Sequence, residues 1–379
     1  MTSNQESHAT GDSRSRVVIK SVAGDVRQAV EEIMTTLAPK TFAGASVLIK
    51  PNMVGPSAPA LGHTTKPALV TAVARACLDR GARVMVGDNP GGLRHSSRTV
   101  AAATGILDAS EGCFTSISER VVQQSGETTG MTLTVSRVVL EADYVINLPV
   151  FKTHLGTGIT GAIKNTFGYV AGACKASLHL EARTPERFAE AVCDVFQVRP
   201  PELQIIDAIT AIEGNGPCHG GQLRKVGKLI AGTDAVAVDA VMARMMGVDP
   251  EVLPVQRLAR DLGLGNLDEA DIRIDGELVP IPDFKMPVTF AGADRDEVRS
   301  QLKGLYPGQM MQTRTTIKPE HHPEVCSNCG DCEVNCPADA IRLEPEFVIS
   351  NACISCFCCV ELCPEGTLNV PDVEAFRHY

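Results

Sequence analysis

Short apolar runs alternate with stretches of helical periodicity along most of the chain. The runs that predict strands are 16–20, 46–50, 83–87, 133–139, 143–149, 203–207 and 228–231. Apolar residues recur at helical spacing in 25–37, 67–78, 187–196, 235–246 and 252–262. This alternation predicts an α/β fold in which a mainly parallel sheet is flanked by helices, over residues 16–300.

The remaining segments lack this alternation. Residues 1–15 are polar and rich in Ser and Thr, which predicts a disordered tail rather than a signal peptide. Residues 268–320 are mixed and contain prolines, so we expect a peripheral β region followed by a linker at 301–320. The rest, 321–379, forms a separate small domain. No apolar run approaches the length of a membrane span, so no membrane partner is expected.

Nine of the fourteen cysteines lie in 321–379, and eight of them form a doubled pattern. In each run, three cysteines are separated by two residues and a fourth precedes a proline. The runs are Cys326, Cys329, Cys332 and Cys336, then Cys353, Cys356, Cys359 and Cys363. Thiolates at this spacing favour iron–sulfur clusters, whereas a zinc site closes with four ligands and does not need the doubled run. Cys358 is off the pattern, as a spare thiol or an alternative ligand.

Residues 321–372 resemble the bacterial two-[4Fe–4S] ferredoxins. The resemblance implies a small α+β ferredoxin-like domain with short strands near 340–343 and 367–370. It also implies that the last cysteine of each run binds the other cluster. The implied ligand sets are Cys326, Cys329, Cys332 and Cys363 for one cluster, and Cys353, Cys356, Cys359 and Cys336 for the second.

Charge is concentrated in the same segment. The chain carries a formal net charge of −10, and 321–379 holds ten carboxylates against Arg342 and Arg377. An acidic surface suits a basic redox partner and disfavours nucleic acid, as does the absence of Trp. Free thiolates at cluster spacing predict a reducing, cytoplasmic compartment. The oligomeric state, a homodimer included, stays open.

Polar residues follow several predicted strands, where ligands of parallel sheets bind. They are Lys50 and Asn52, Asp88 and Asn89, Lys152 and His154, and Asp207 and Glu213. Other polar residues suit helix capping better, namely Thr64 and Thr65 before Pro67, and Asp234 and Asp239.

The segment 147–179 is the densest in candidate chemistry. Gly156, Gly158 and Gly161 formally match a dinucleotide fingerprint, but no strand ending in an acid follows at the required distance, so no NAD or FAD site is predicted. We predict an anion cradle instead. Its catalytic residues are Lys152, His154 and Lys164, and its substrate-binding residues are Lys50, Asn52, Gly156, Gly158, Asn165, His179 and Glu213. The alternatives are a surface lysine, a structural histidine and a solvated helix face.

Residues 16–265 resemble the family catalogued as domain of unknown function 362. The matching pieces are 47–52, 64–67, 87–88, 147–149, 152–154, 164–165 and 232–239. The resemblance implies an iron–sulfur oxidoreductase whose central site contains Lys152, Thr153, His154, Lys164 and Asn165. It implies no substrate.

The leading hypothesis is a reductase. An external donor, such as a ferredoxin or a reductase, passes electrons through two [4Fe–4S] clusters to a small anionic or unsaturated carbonyl substrate in the α/β crevice. Two alternatives stay open: an electron-transfer or binding subunit without its own chemistry, and a non-redox enzyme with structural clusters. P-loop, Gly-x-Ser-x-Gly and His-Glu-x-x-His motifs are absent from the sequence, which argues against kinases and common hydrolases.

Overall fold

A nine-stranded sheet lies at the centre of this computed structural model, which describes residues 14–290 and 317–370. Its strands are β1 (Ser15–Ser21), β2 (Ser46–Pro51), β3 (Arg83–Val86), β6 (Tyr144–Leu148), β7 (Val150–His154), β8 (Gly158–Ile159), β9 (Leu203–Gly214), β10 (Gly221–Gly232) and β11 (Ile272–Asp275). Three two-stranded pairs stand apart, formed by β4 (Val121–Ser125) with β5 (Thr132–Ser136), β12 (Glu320–His321) with β15 (Leu368–Asn369), and β13 (Ile341–Arg342) with β14 (Val348–Ile349).

Helices cover the sheet and connect its strands. They are α1 (Val26–Leu37), α2 (Pro67–Asp79), α3 (Ser97–Ala103), α4 (Ile106–Ala109), α5 (Arg137–Glu141), α6 (Gly161–Asn165), α7 (Gly172–Ala182), α8 (Pro185–Val198), α9 (Ala235–Met245), α10 (Pro254–Asp261), α11 (Asp331–Val334) and α12 (Cys358–Leu362). No helix within 14–290 or 317–370 is long and apolar enough to cross a membrane.

The strand order is β11-β1-β10-β9-β6-β2-β3. Strands β9, β6, β2 and β3 are parallel to one another, whereas β10 is antiparallel to both of its neighbours. Strand β7 follows β6 and continues alongside β9 in parallel. The predicted α/β fold with a mainly parallel sheet is confirmed, with β10 and the short β8 as antiparallel exceptions.

Alternation along the strands divides the core into two layers. Val17 and Ile19 point into one apolar cluster and Val18 into the other, because successive strand side chains face opposite sides of a sheet. Helices α8 and α9 pack in the first cluster and α1 and α2 in the second. The sheet is therefore covered by helices on both faces.

Several local predictions were wrong. The strand predicted at 133–139 ends at Ser136, whose side chain caps α5 by accepting from the Val139 N–H. Strand β9 extends to Gly214, so Asp207 and Glu213 lie within it rather than beyond its end.

Thr64 and Thr65 do not cap α2. The cap position is Lys66, and no side chain bonds there. The Thr65 hydroxyl instead accepts from the Asn52 N–H (2.8 Å) and donates to the Leu148 carbonyl (2.6 Å), which ties the end of β2 to β6. Asp234 does cap its helix, since its carboxylate accepts from the Ala237 N–H at the start of α9 (3.0 Å).

The chain boundaries were predicted only in part. Strand β1 begins at Ser15, the last residue of the predicted tail, and 1–13 lie outside the described residues. Strand β11 forms the expected peripheral β element, parallel to β1 at the sheet edge. Residues 291–316, which include most of the predicted linker, also lie outside the described residues.

Asp239, inside α9, fixes the position of α6. Its buried carboxylate accepts hydrogen bonds from the backbone N–H groups of Ala162 and Ile163. A Cβ at Gly161 would lie 2.5 Å from Asp239 Oδ1, so this close approach requires glycine. Helix α6 carries Lys164 and Asn165, and Asp239 therefore sets where they point.

The Asp239 carboxyl should make stability depend on pH. Burial raises its pKa to about 7, from 3.8 for an exposed aspartate. Between these two pKa values the folded chain therefore holds a proton that the unfolded chain has released. The protonated Asp239 contributes stability that is fully present below the unfolded pKa of 3.8 and is lost as the pH rises through about 7. The stability advantage of the wild type over Asp239→Asn should shrink accordingly. Urea unfolding of both at about pH 5 and about pH 8 tests this, and a constant difference would contradict it.

Candidate functional site

A cavity of about 100 Å³ opens where β2, β3 and β7 end. Its wall on this side contains Asn52, Met53, Asp88, Asn89, Lys152, His154, Thr160, Lys164, Asn165, Phe167, Gly168, Lys175 and His179. Six residues predicted for the site thus line one cavity: Asn52, Lys152, His154, Lys164, Asn165 and His179. The strand ends converge as expected for a parallel sheet.

Lys50 lies directly behind this wall in a fully buried ion pair. Its Nζ is 2.7 Å from Asp88 Oδ1, and burial lowers the pKa of the lysine. Asp88 also accepts from the Met53 N–H (2.8 Å), so one carboxylate joins the ends of β2 and β3. A Cβ at Gly168 would lie 2.0 Å from Asp88 Oδ1, and this explains the glycine.

A chain of hydrogen bonds holds Lys152. Its Nζ donates to Asn52 Oδ1 (2.6 Å) and to the His63 carbonyl (2.7 Å). The Asn52 amide donates to Asn165 Oδ1 (2.8 Å), and Asn165 donates to Asn147 Oδ1 (2.7 Å). Burial lowers the pKa of Lys152 to about 8, so its ammonium can release a proton near neutral pH.

His154 is neutral and presents one ring nitrogen to the cavity. Its Nδ1 accepts from the Gly156 N–H (3.0 Å), which leaves the proton on Nε2. Nε2 lies 3.7 Å from Glu361 Oε2 and has no hydrogen-bond partner in the described chain. Burial, with nearby Lys164, keeps the pKa of His154 well below its usual value.

Lys164 and His179 lie over an aromatic wall. The Lys164 ammonium is 5.1 Å from the centre of the Phe167 ring and 5.5 Å from that of Phe188. His179 stacks on Phe188 at 4.0 Å, and burial lowers its pKa to about 3. Lys175 donates to the Pro90 carbonyl (3.2 Å), and burial lowers its pKa to about 8.

Four predicted binding residues are absent from the cavity lining: Lys50, which lies behind the wall, and Gly156, Gly158 and Glu213. The Gly156 N–H already bonds His154, and Gly158 sits in the β7–β8 hairpin at φ +81°, where a Cβ would meet Leu253. Gly156 and Gly158 therefore form no anion cradle in this cavity. Glu213 lies on β9, 3.7 Å from Arg224, and accepts from the Lys285 N–H (3.3 Å).

The opposite wall comes from a part of the chain that strand-end reasoning missed. It contains Asn335, Cys358, Glu361 and Leu362. Asn335 Oδ1 accepts from the Leu93 N–H (2.8 Å), and Arg94 pairs with Asp331 (2.9 Å). Gly91 was a sequence signal of a close approach at this position, since a Cβ there would lie 2.9 Å from the Leu362 side chain.

The structure brings together members of each predicted ligand set, and these sets are called the first and second cysteine groups. A second cavity is lined by Cys336, Cys353, Cys356 and Cys359, which is the second predicted ligand set. Burial raises the pKa of Cys332 to about 11, and the nearby thiols of Cys363 and Cys329 also raise it. These three cysteines belong to the first predicted ligand set.

Backbone N–H groups point at several of these sulfurs. Ala340 donates to Cys336 Sγ (3.2 Å), Thr367 to Cys363 Sγ (3.3 Å) and Asn328 to Cys326 Sγ (3.4 Å). Such donors favour the thiolate form, which is the ligand form. Within the described residues, no three His, Cys, Asp or Glu side chains are grouped to hold a single metal ion. The donor chemistry fits clusters, and the cluster assignment stays a prediction.

Comparison with known proteins places the chain in a family. Residues 47–244, more than half of the chain, match the model described as Domain of unknown function (DUF362). The chain belongs to the DUF362 family. Its DUF362 region holds the sheet side of the cavity, whereas Cys358, Glu361 and Leu362 lie beyond the match.

Two further proteins are similar. A thylakoid-associated protein of Synechocystis, sll1697, is 35% identical over 276 residues, covering 69% of this chain and 84% of that protein. The lactate racemase apoprotein of Thermoanaerobacterium thermosaccharolyticum aligns with a TM-score of 0.35 and 14% identity, over 56% of this chain. This DUF362 protein spans about half (55%) of the length of that structure.

Proposed function

We propose that this DUF362 protein is an iron–sulfur oxidoreductase. Two [4Fe–4S] clusters, held by the two cysteine groups, would pass electrons from an external donor to a small anionic or unsaturated carbonyl substrate. The substrate would occupy the cavity between the DUF362 region and the cysteine segment. The acidic surface of that segment would receive a basic electron donor.

The observation that carries this proposal is the position of α12. Its residues Cys358, Glu361 and Leu362 line the cavity at the strand ends, and its Cys359 lines the cavity of the second cysteine group. One helix of five residues therefore borders both sites. This proximity supports direct electron transfer between a cluster and a bound substrate.

The cavity residues suit the charge that reduction creates. A bound cluster supplies electrons one at a time. Lys164 offers an ammonium that lies over the Phe167 and Phe188 rings, with the Glu361 carboxylate nearby, and it can turn toward an oxyanion. Neutral His154 presents Nε2–H as a hydrogen-bond donor, and the Lys152 ammonium can supply a proton near neutral pH.

Reoxidation kinetics test the proposal. The anaerobically reduced protein should be reoxidised by at least one of fumarate, crotonate or pyruvate, followed by cluster absorbance. Lys164→Gln should slow this reaction roughly a hundredfold, because one preorganised cation is lost from the transition state.

The matched control is Lys40→Gln, at an exposed position outside the cavity, which should react like the wild type. If no acceptor reoxidises the reduced protein, or if Lys164→Gln and Lys152→Ala leave the rate unchanged, the reductase assignment is wrong.

A further inference from the structure

Three buried polar atoms without partners in the described chain belong to residues of one cavity. They are His154 Nε2, Thr160 Oγ1 and Asn89 Oδ1. The three side chains are 1–4% exposed. A buried polar atom without a partner is costly, so side chains of this kind in one cavity indicate a ligand with matching groups.

The chemical type of two of these atoms is set by their neighbours. His154 accepts at Nδ1 from Gly156, so its Nε2 carries hydrogen and requires an acceptor from the ligand. The Asn89 amide nitrogen faces the Tyr169 carbonyl at 3.5 Å, which orients the Asn89 oxygen as an acceptor. That oxygen requires a donor from the ligand. The Thr160 hydroxyl can donate or accept a hydrogen bond, so it can bind either an acceptor or a donor of the ligand.

The charges around the cavity do not balance. Lys50, Lys152, Lys164 and Lys175 bring four ammonium groups into its wall or directly behind it. The described carboxylates facing them are Asp88, which is paired with Lys50, and Glu361. His154 and His179 are neutral, because burial lowers the pKa of both. Among these described side chains the lysines outnumber the carboxylates by two, which favours an anionic ligand.

The space limits the size of that ligand. The cavity holds about 100 Å³, and its wall includes the apolar side chains of Met53, Leu93, Phe167 and Leu362. A short carbon skeleton with polar groups at its ends would satisfy both the apolar wall and the three unpartnered atoms.

We infer that the cavity binds a small dianion that also carries a hydrogen-bond donor, a hydroxyl or an amino group. Its anionic oxygens face Lys164 and His154, and its donor faces Asn89. This inference rests on the proposed function, because it names the class of ligand that binds in the same cavity. The dianion can be a dicarboxylate or a phosphate monoester, since both offer the same charge and acceptor oxygens.

Calorimetric binding to the anaerobically purified protein with intact clusters tests this class. Malate has two carboxylates and a hydroxyl; succinate lacks the hydroxyl, and 3-hydroxybutyrate lacks the second carboxylate. We expect malate to bind about tenfold more tightly than either, because each analogue leaves a buried group unmatched. Erythritol, which is uncharged, should not bind. Glycerol 3-phosphate binding more tightly than malate would support the same inference with phosphate as the anion.

One variant separates recognition of the ligand's donor group from recognition of its anionic groups. Asn89→Ala should remove the preference for malate over succinate while both still bind, because only the acceptor for the donor group is lost. The matched control Asn266→Ala, outside the cavity lining, should keep the preference.

Equal affinity for malate and succinate, or tighter binding of 3-hydroxybutyrate, would overturn the inference. So would a failure of every dianion to bind a protein that retains its clusters. These outcomes leave the redox proposal intact, since that proposal fails on reoxidation rather than on affinity.

Discussion

Replacing Cys336 by serine should remove one cluster and leave the other, although Cys336 belongs to the first cysteine run. Its side chain lines the cavity of Cys353, Cys356 and Cys359, which all come from the second run. We expect iron and acid-labile sulfide in the anaerobically purified variant to fall to about half. Cys358→Ser, at a position absent from the lining of that cavity, should keep the full content.

Double variants test the exchange of ligands between the runs. Cys336→Ser combined with Cys353→Ser should lose no more iron than either single variant, because both changes strike one cluster. Cys336→Ser combined with Cys326→Ser should lose nearly all of it. The reverse pattern would assign each run to its own cluster and refute the crossing of Cys336 and Cys363.

Asp88→Asn should lower the free energy of unfolding by about 3–5 kcal/mol at neutral pH, as expected when one partner of a buried ion pair is removed. The change keeps the shape of the side chain but leaves the Lys50 ammonium buried without a counter-ion. Urea unfolding measures the loss. The loss should shrink at alkaline pH, since burial lowers the pKa of Lys50 and neutral lysine needs no partner.

The chain offers a control with the same geometry at the surface. Lys20 and Glu32 are also 2.7 Å apart, but their side chains are 33% and 45% exposed. Glu32→Gln should therefore change stability little, because water already screens that pair. Equal losses from Asp88→Asn and Glu32→Gln would show that burial does not decide the value of the central pair.

Sequence reasoning succeeded where the signal was local. Runs such as 46–50 and 83–87 are apolar on both faces, as expected for strands covered by helices on both sides. The strand predicted at 133–139 was confirmed only as far as Ser136, because the Ser136 hydroxyl caps a helix and outweighs the apolar residues after it.

Part of the site was also predicted from local signals, namely the polar residues that follow the strands. Asn52, Lys152 and His154 meet in one cavity because parallel strands end at one edge of the sheet. Glu361 was not predicted, and Cys358 was predicted only as a spare thiol or an alternative ligand, because their contacts with the cavity join residues about two hundred positions apart. The Lys50–Asp88 pair was equally invisible, since burial depends on the packing of distant elements and not on local residue type.

Helix α12 also has a geometric consequence. Cys358, Glu361 and Leu362 share one face, at positions i, i+3 and i+4, while Cys359 points to the other cavity. An insertion of one residue after Cys359 would rotate Glu361 and Leu362 by about 100° around the helix axis. In the proposed function, the phase of this helix would set how the electron source and the bound molecule are placed relative to each other. We therefore expect evolution to tolerate substitutions in α12, apart from the proposed ligand Cys359, more readily than changes in its length.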